Sequence, residues 1–441
     1  MKKNMKKLFA LLLAALMVCT IFAGCAKPVE KPSTDQPQNP TENTENPPAE
    51  ETKDPVEPAA PAEKHENKVV YGSTTEISGD LGNAWWTNNA TDKMIRDLIN
   101  DYDTVIFDQF GQMVMNETTA ASIEQEEHDD GSISFTVKIK EGLVYNNGEP
   151  ITAADYVAYA LVAYSPATLA AGGKLVPESV VGGMEYQKGE TKELAGVRLL
   201  DEYTYSIHIT PEKSQYYYAL TYASLSPLYL PMYGGEGLTV KDDGNGAYVE
   251  GLTTANIQDT LNASRYRSDS TVVSCGPYMF YEFDNSAKQC ILVRNPNYAG
   301  NFEGQVPSIE KITIVKAEDA TWADALKTGA FNFYDTMTDG SHINTALDIM
   351  EDETVKEQLG YGFDYVQFDR AGFGAVFFQC DFGPTQFPAV RHAIAMLLDR
   401  AEFANTFCQG WGGVVSVPAG PGLWQYQDCE EWLNENLNTY P

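Results

Sequence analysis

Ile133, Phe135, Val137 and Ile139 alternate with polar residues, the period-two pattern of a strand with one buried face. Val197 and Leu199, then Tyr203, Tyr205, Ile207 and Ile209, suggest further strands. Val69-Val70-Tyr71-Gly72 and the β-branched run Ile312-Thr313-Ile314-Val315 read as short strands. A hairpin is expected from Tyr278 to Arg294, turning near Asp284-Asn285-Ser286. Met94, Ile95, Leu98 and Ile99 fall at helical spacing within 90–100. Thr152 opens a second helix, with Asp155 placed to reach back in a capping box. Trp322 to Thr328 forms a helix stopped by Gly329. Pro388 starts another, carrying Val390, Ile394, Leu397 and Leu398. Phe377 and Phe378 are assigned to a strand, and Tyr216-Tyr217-Tyr218 to helix packing. Gly234 to Asn262, rich in Gly, Asp and Thr, reads as a surface excursion. Strands and helices mix throughout without an internal repeat, so the fold is α/β or α+β.

The first residues follow a different pattern. Met1-Lys2-Lys3 precedes an apolar stretch from Leu8 to Phe22, and Phe22-Ala23-Gly24-Cys25 follows. A basic start, a short apolar run and small residues before a cut describe a secretory signal, and the run is short for a membrane span. Small residues running directly into Cys25 resemble the lipobox of bacterial lipoproteins. That resemblance implies a diacylglycerol on the Cys25 thiol and cleavage before it. Residues 26–66 are rich in Pro and Glu, with no aromatics, and cannot bury enough surface to fold. They read as a tether, extended at about 3.1 Å per residue.

A formal net charge of −32 argues against a DNA or RNA partner, because phosphate binding needs basic stripes. Seven cysteines are present. Removing Cys19 with the signal and lipidating Cys25 leaves Cys275, Cys290, Cys380, Cys408 and Cys429. An odd set cannot pair fully, and one bridge between an unspecified pair stays open. HExxH, GxSxG, GxxxxGK[ST] and GxGxxG do not occur in the sequence. His128, in Glu126-Glu127-His128-Asp129-Asp130, is a metal candidate better read as a solvated hairpin loop. Trp85-Trp86 and the glycine-flanked Trp411 are candidate cleft aromatics, with the plugging of gaps between domains as the other reading.

Four segments in order resemble the family 5 extracellular solute-binding proteins, the dipeptide and oligopeptide binders of ABC transporters. The first is Val69 to Leu81, which has Ser-Gly-Asp-Leu where the family usually has a Ser-Leu-Asp-Pro type sequence. The second and most specific is FTVKIKEGLVYNNGEPITAADYV, residues 135–157. The third joins Cys275-Gly276-Pro277-Tyr278 with Arg294-Asn295-Pro296-Asn297-Tyr298, continued by Ala325 to Gly329. The fourth is VRHAIAMLLDR, residues 390–400.

The resemblance implies a two-lobed periplasmic-binding-protein-like α/β fold (type II, cluster C) with an extra inserted domain. Lobe 1 would take residues 67–115 and 226–335, the inserted domain 116–225, and lobe 2 would begin at 336. The family's second lobe continues beyond the fourth segment, so the C-terminal part is expected to be missing here. The Trp and Asp that hold a peptide amino terminus in the family fall in that part and transfer to no residue of this chain. Thr75, Glu76, Ile77 and Ser78 match the strip that supplies backbone hydrogen bonds to an extended ligand. Gln379, Cys380 and Asp381 follow the lobe-2 strand, and Trp85, Trp86 and Trp411 complete the candidate ligand set. The implied function is a non-enzymatic, monomeric binding lipoprotein with no cofactor and no metal. It would be anchored through Cys25 to the outer face of the cell membrane, or in the periplasm. Its partners would be a peptide or similar small solute and ABC permease subunits. Two alternatives are a peptide-sensing receptor without transport and a secreted hydrolase.

Overall fold

A computed structural model describes residues 67–108 and 110–437. Cys25, the signal and the tether lie outside the described residues. Among the described residues, thirteen strands and the intervening helices form a mixed α/β fold. The strands are β1 Lys68–Ser73, β2 Val105–Phe107, β3 Met113–Met115, β4 Ala120–Glu127, β5 Ile133–Ile139, β6 Val197–Asp201, β7 Thr204–Ile209, β8 Thr239–Asp242, β9 Ala247–Glu250, β10 Tyr278–Asp284, β11 Gln289–Arg294, β12 Lys311–Lys316 and β13 Phe333–Tyr334.

The larger sheet has the order β10-β11-β12-β1-β13. Its three middle-to-late partners, β12, β1 and β13, run parallel, with Tyr71 opposite Ile314 and Phe333. Parallel strands need cover on both faces, and β1 receives it. Tyr71 packs on the main core, whereas Val70 packs on a second core of Ala317, Trp322, Leu326, Phe331, Ile349 and Val355. Gly72 makes room for Phe331 of that second core, because a Cβ there would lie 2.9 Å from the Phe331 ring. The side chain of Asn332 accepts from the Val70 N–H at 2.8 Å, fixing the register of β1.

The second sheet is antiparallel, in the order β4-β5-β7-β6. The alternation seen in the sequence of β5 is realised: Ile133, Phe135, Val137 and Ile139 are all buried against the main core. The helix Ala153–Ala163 covers that face. Its first turn is held as the sequence proposed, with the Thr152 N–H donating to Asp155 Oδ2 at 2.8 Å. The hairpin β10–β11 and the helices Ala90–Ile99, Trp322–Lys327 and Pro388–Leu397 also form where the sequence places them. In the Cys275-Gly276-Pro277-Tyr278 motif, the Gly276 N–H donates to the Ile99 carbonyl at 2.7 Å. A Cβ at Gly276 would stand 2.4 Å from that carbonyl carbon, so only glycine permits the approach.

Three sequence expectations are corrected. Residues 234–262 are not a surface excursion. They form the β8–β9 hairpin and lead into the helix Thr254–Arg265. Ala247, Ile257 and Leu261 are fully buried, and the i, i+4 pair Ile257/Leu261 turns one helix face inward. Polar composition concealed that single apolar face. Tyr216-Tyr217-Tyr218 lies in a turn rather than a helix, with Tyr216 and Tyr217 exposed. Phe377 and Phe378 belong to no strand, and Phe377 is 88% exposed. A strand exists only with a hydrogen-bonding neighbour, and none among the described residues pairs with this segment. Phe368, Val376 and Leu397 are exposed as well.

All five described cysteines are free thiols. No helix among the described residues is long and apolar enough to cross a membrane.

Candidate functional site

The strip after β1 is built by the N-terminus of the helix Ala90–Ile99. Asn89 caps that helix, its side-chain oxygen accepting from the Thr91 and Asp92 N–H groups. The same three residues hold the strip. Thr91 Oγ1 donates to the Thr75 carbonyl at 2.6 Å, and Asn89 Nδ2 to the Glu76 carbonyl at 2.9 Å. The Ser78 N–H donates to Asp92 Oδ1 at 3.0 Å, and the Ser78 hydroxyl bonds the other carboxylate oxygen. Ile77 is buried, while Glu76 and Ser78 are exposed on either side of it. Ile77 thus anchors the strip in the core and presents its two neighbours outward. Asn89, Thr91 and Asp92 escaped the sequence reading, although Asn-Ala-Thr-Asp before an apolar helix is an N-cap signature.

Beyond the strip, Asp80 accepts from Arg265 Nε at 2.8 Å and from Nη2 at 2.6 Å. The Arg265 guanidinium stands 5.1 Å over the Trp86 ring. Trp85 and Trp86 meet edge to face at 5.9 Å. Trp85 also contacts Tyr159 at 5.4 Å and Tyr233 at 5.9 Å. Exposure is 0% for Trp85 and 2% for Trp86. The expectation that this pair lines a cleft is therefore corrected. The rings plug the space between the 79–89 loop and the helices that carry Tyr159, Tyr233 and Arg265.

Gln379, Cys380 and Asp381 are exposed, and the Gln379 side chain donates to Asp381 Oδ2 at 3.1 Å. Trp411 docks on the helix Gly340–Glu351, its indole N–H donating to Asn344 Oδ1 at 3.0 Å. No hydrogen bond or ring contact among the described residues joins 75–78 to 379–381 or to Trp411.

A buried polar junction lies where the chain passes from one sheet to the other. Tyr102 sits there with φ of 63°, a left-handed conformation that is costly for a bulky residue. Stacking on Tyr298 at 5.6 Å and a hydrogen bond from Tyr156 to its carbonyl at 2.8 Å hold it. Burial pushes the neighbouring Asp103 carboxyl up to about 6, against the lowering effect of a hydrogen bond from Ser226. The folded state therefore favours the protonated acid. Its contribution to stability is complete below about pH 4 and is lost as pH rises to about 6. Asp103→Asn should remove that slope and stabilise the protein at neutral pH, by on the order of 2 kcal/mol. Urea titrations of both proteins between pH 4 and 7 test this, and parallel pH profiles would refute it.

The strip, the two sheets and the junction are parts of a fold found in other proteins. The model of the family described as bacterial extracellular solute-binding proteins, family 5 Middle, matches residues 117–436. The chain belongs to that family. Among solved structures, this family 5 chain is similar to the oligopeptide-binding protein AppA from Bacillus subtilis in complex with a nonapeptide. The match has 19% identity and a TM-score of 0.52, over 83% of this chain and 63% of that one. Listeria monocytogenes OppA bound to peptide matches at 17% identity and TM-score 0.50, over 80% and 61%. The periplasmic EDTA-binding protein EppA matches at 16% and 0.51, over 78% and 56%. At these identities the likeness is one of fold, that of the two-lobed binding proteins. This family 5 chain spans less than two thirds of the length of those proteins. No curated protein matches it.

Proposed function

We propose that this chain is the substrate-binding lipoprotein of an ABC importer, capturing a short peptide or comparable small solute outside the membrane and delivering it to the permease. The observation that carries this reading is the family match over residues 117–436. Among proteins of the same fold, AppA and OppA hold peptides and EppA is an EDTA-binding protein, so a peptide is the first ligand to test. In this reading Glu76 and Ser78 face the ligand from the strip, with Gln379–Asp381 and Trp411 on the opposing side. The division into lobe 1 (67–115 and 226–335), an inserted domain (116–225) and lobe 2 (from 336) is supported by the sheets. The larger sheet draws strands from both ends of the first lobe, and the four-stranded sheet lies between them in sequence.

Calorimetric titration of the complete protein with a mixed peptide library should give saturable, stoichiometric heat. No binding by any peptide overturns the peptide reading. Loss of labelled-peptide uptake in a deletion strain would separate transport from sensing, since a receptor without transport leaves uptake intact. Anchoring has its own test. Cys25→Ser should abolish labelling by a fatty-acid analogue, and unchanged labelling would show that Cys25 carries no lipid.

A further inference from the structure

Two sequence features that solute capture leaves unused meet at one cavity. The acidic run Glu126 to Asp130 ends β4 and turns into β5, and Tyr216-Tyr217-Tyr218 follows the helical turn Pro211–Ser214. Between them lies a cavity of about 310 Å³, whose lining includes Gln125, Glu127, His128, Ser132, Gln215 and Tyr216.

Its walls are fixed from both sides. Ser214 Oγ donates to the Gly131 carbonyl at 2.7 Å, tying the helical turn to the hairpin. His128 Nε2 bonds Ser134 Oγ at 2.9 Å, and its ring lies 4.7 Å from that of His208. His208 Nε2 in turn bonds Ser132 Oγ at 2.7 Å. The Tyr216 ring is braced at steep angles by Tyr217, 5.1 Å away at 64°, and by Tyr218, 6.0 Å away at 68°. Glu127 and Tyr216 nevertheless stay open to solvent. An aromatic ring and a carboxylate that line the same cavity and stay open to solvent are already presented to a ligand.

The chemistry of the lining selects the ligand class. Glu127 is the formal charge among the lining residues, and no lysine or arginine joins it there. The nearby Lys213 is already paired with Glu178 at 2.8 Å. An anionic ligand finds no counter-charge. No group of three His, Cys, Asp or Glu among the described residues is placed to hold a metal ion, which argues against an inorganic cation. An organic cation meets both a carboxylate and a π face, the two elements that bind ammonium and guanidinium groups. We propose that this cavity is a second ligand site, separate from the peptide strip, that takes a small organic cation such as an alkyl amine or guanidinium compound through Glu127 and Tyr216.

The test is calorimetric titration of the complete protein with putrescine, and separately with agmatine, at low ionic strength. Exposed ion pairs and cation–π contacts are individually weak, so a dissociation constant on the order of 1 mM is expected, rising with added salt. Glu127→Gln and Tyr216→Ala should each weaken binding roughly five- to tenfold. Tyr216→Phe, which keeps the ring face, should retain it. Both side chains are exposed, so the variants keep the fold, and their binding of any peptide ligand should be unchanged. Absence of saturable binding up to about 50 mM would overturn the proposal. So would putrescine binding that is indifferent to both substitutions, or displaced by a peptide. Preferential binding of glucose, a neutral polyol, would overturn the cationic class.

Discussion

Trp85→Ala is expected to lower the unfolding free energy by about 3–5 kcal/mol, the range for deleting a large buried aromatic. Trp85 is fully enclosed, with Trp86, Tyr159 and Tyr233 around it. Its removal leaves a cavity bounded by three rings that belong to separate chain segments and cannot all collapse inward. The indole N–H has no hydrogen-bond partner among the described residues. The cost is therefore one of packing rather than of a lost polar contact. Trp85→Phe, which keeps a ring in the same space, should cost about half as much. Urea unfolding followed by circular dichroism measures both. A Trp85→Ala penalty below about 1 kcal/mol would show that the ring lies at a solvent-open face, as a cleft aromatic would.

Arg265→Ala should be nearly as damaging, at about 2–4 kcal/mol. Asp80 has a relative exposure of 9%, and both hydrogen bonds from Arg265 converge on one of its oxygens. Deleting the guanidinium strands a carboxylate in a nearly dry site and uncovers the Trp86 face. Most of the loss comes from the carboxylate left behind, so a second substitution at Asp80 should recover part of it. Asp80→Asn in the Arg265→Ala background is expected to be more stable than Arg265→Ala alone. A strictly additive double-mutant cycle would mean that the pair is not coupled.

The candidate site was legible in the sequence where it depends on neighbours in the chain. The strand before 75–78 could be read from its β-branched run, and the strip itself was reached through its resemblance to family 5. What escaped was its support. Asn89, Thr91 and Asp92 hold the strip through side chains that sequence reading treats as helix caps. The tryptophans show the reverse error. Adjacent aromatics after a Gly/Asp turn have the same sequence whether they line a cleft or plug a gap, and the partners that decide, Tyr159 and Tyr233, are remote in the chain.

By itself the sequence determined the local elements and the four segments that resemble family 5. The alternation in β5, the Thr152/Asp155 pair, the β10–β11 turn and the glycine of Cys275-Gly276-Pro277-Tyr278 are set by residue spacing and backbone geometry within a few positions. Tertiary structure alone decided the rest. It paired β1 in parallel with β12 and β13, and turned Ile257 and Leu261 inward from a polar stretch. It left Phe377 unpaired and brought the acidic hairpin and the tyrosine turn to one cavity. Period and capping are encoded by adjacent residues. A strand's partner, a ring's cover and a cavity's opposite wall are supplied by residues far along the chain, and their identity exists only once the chain has closed on itself.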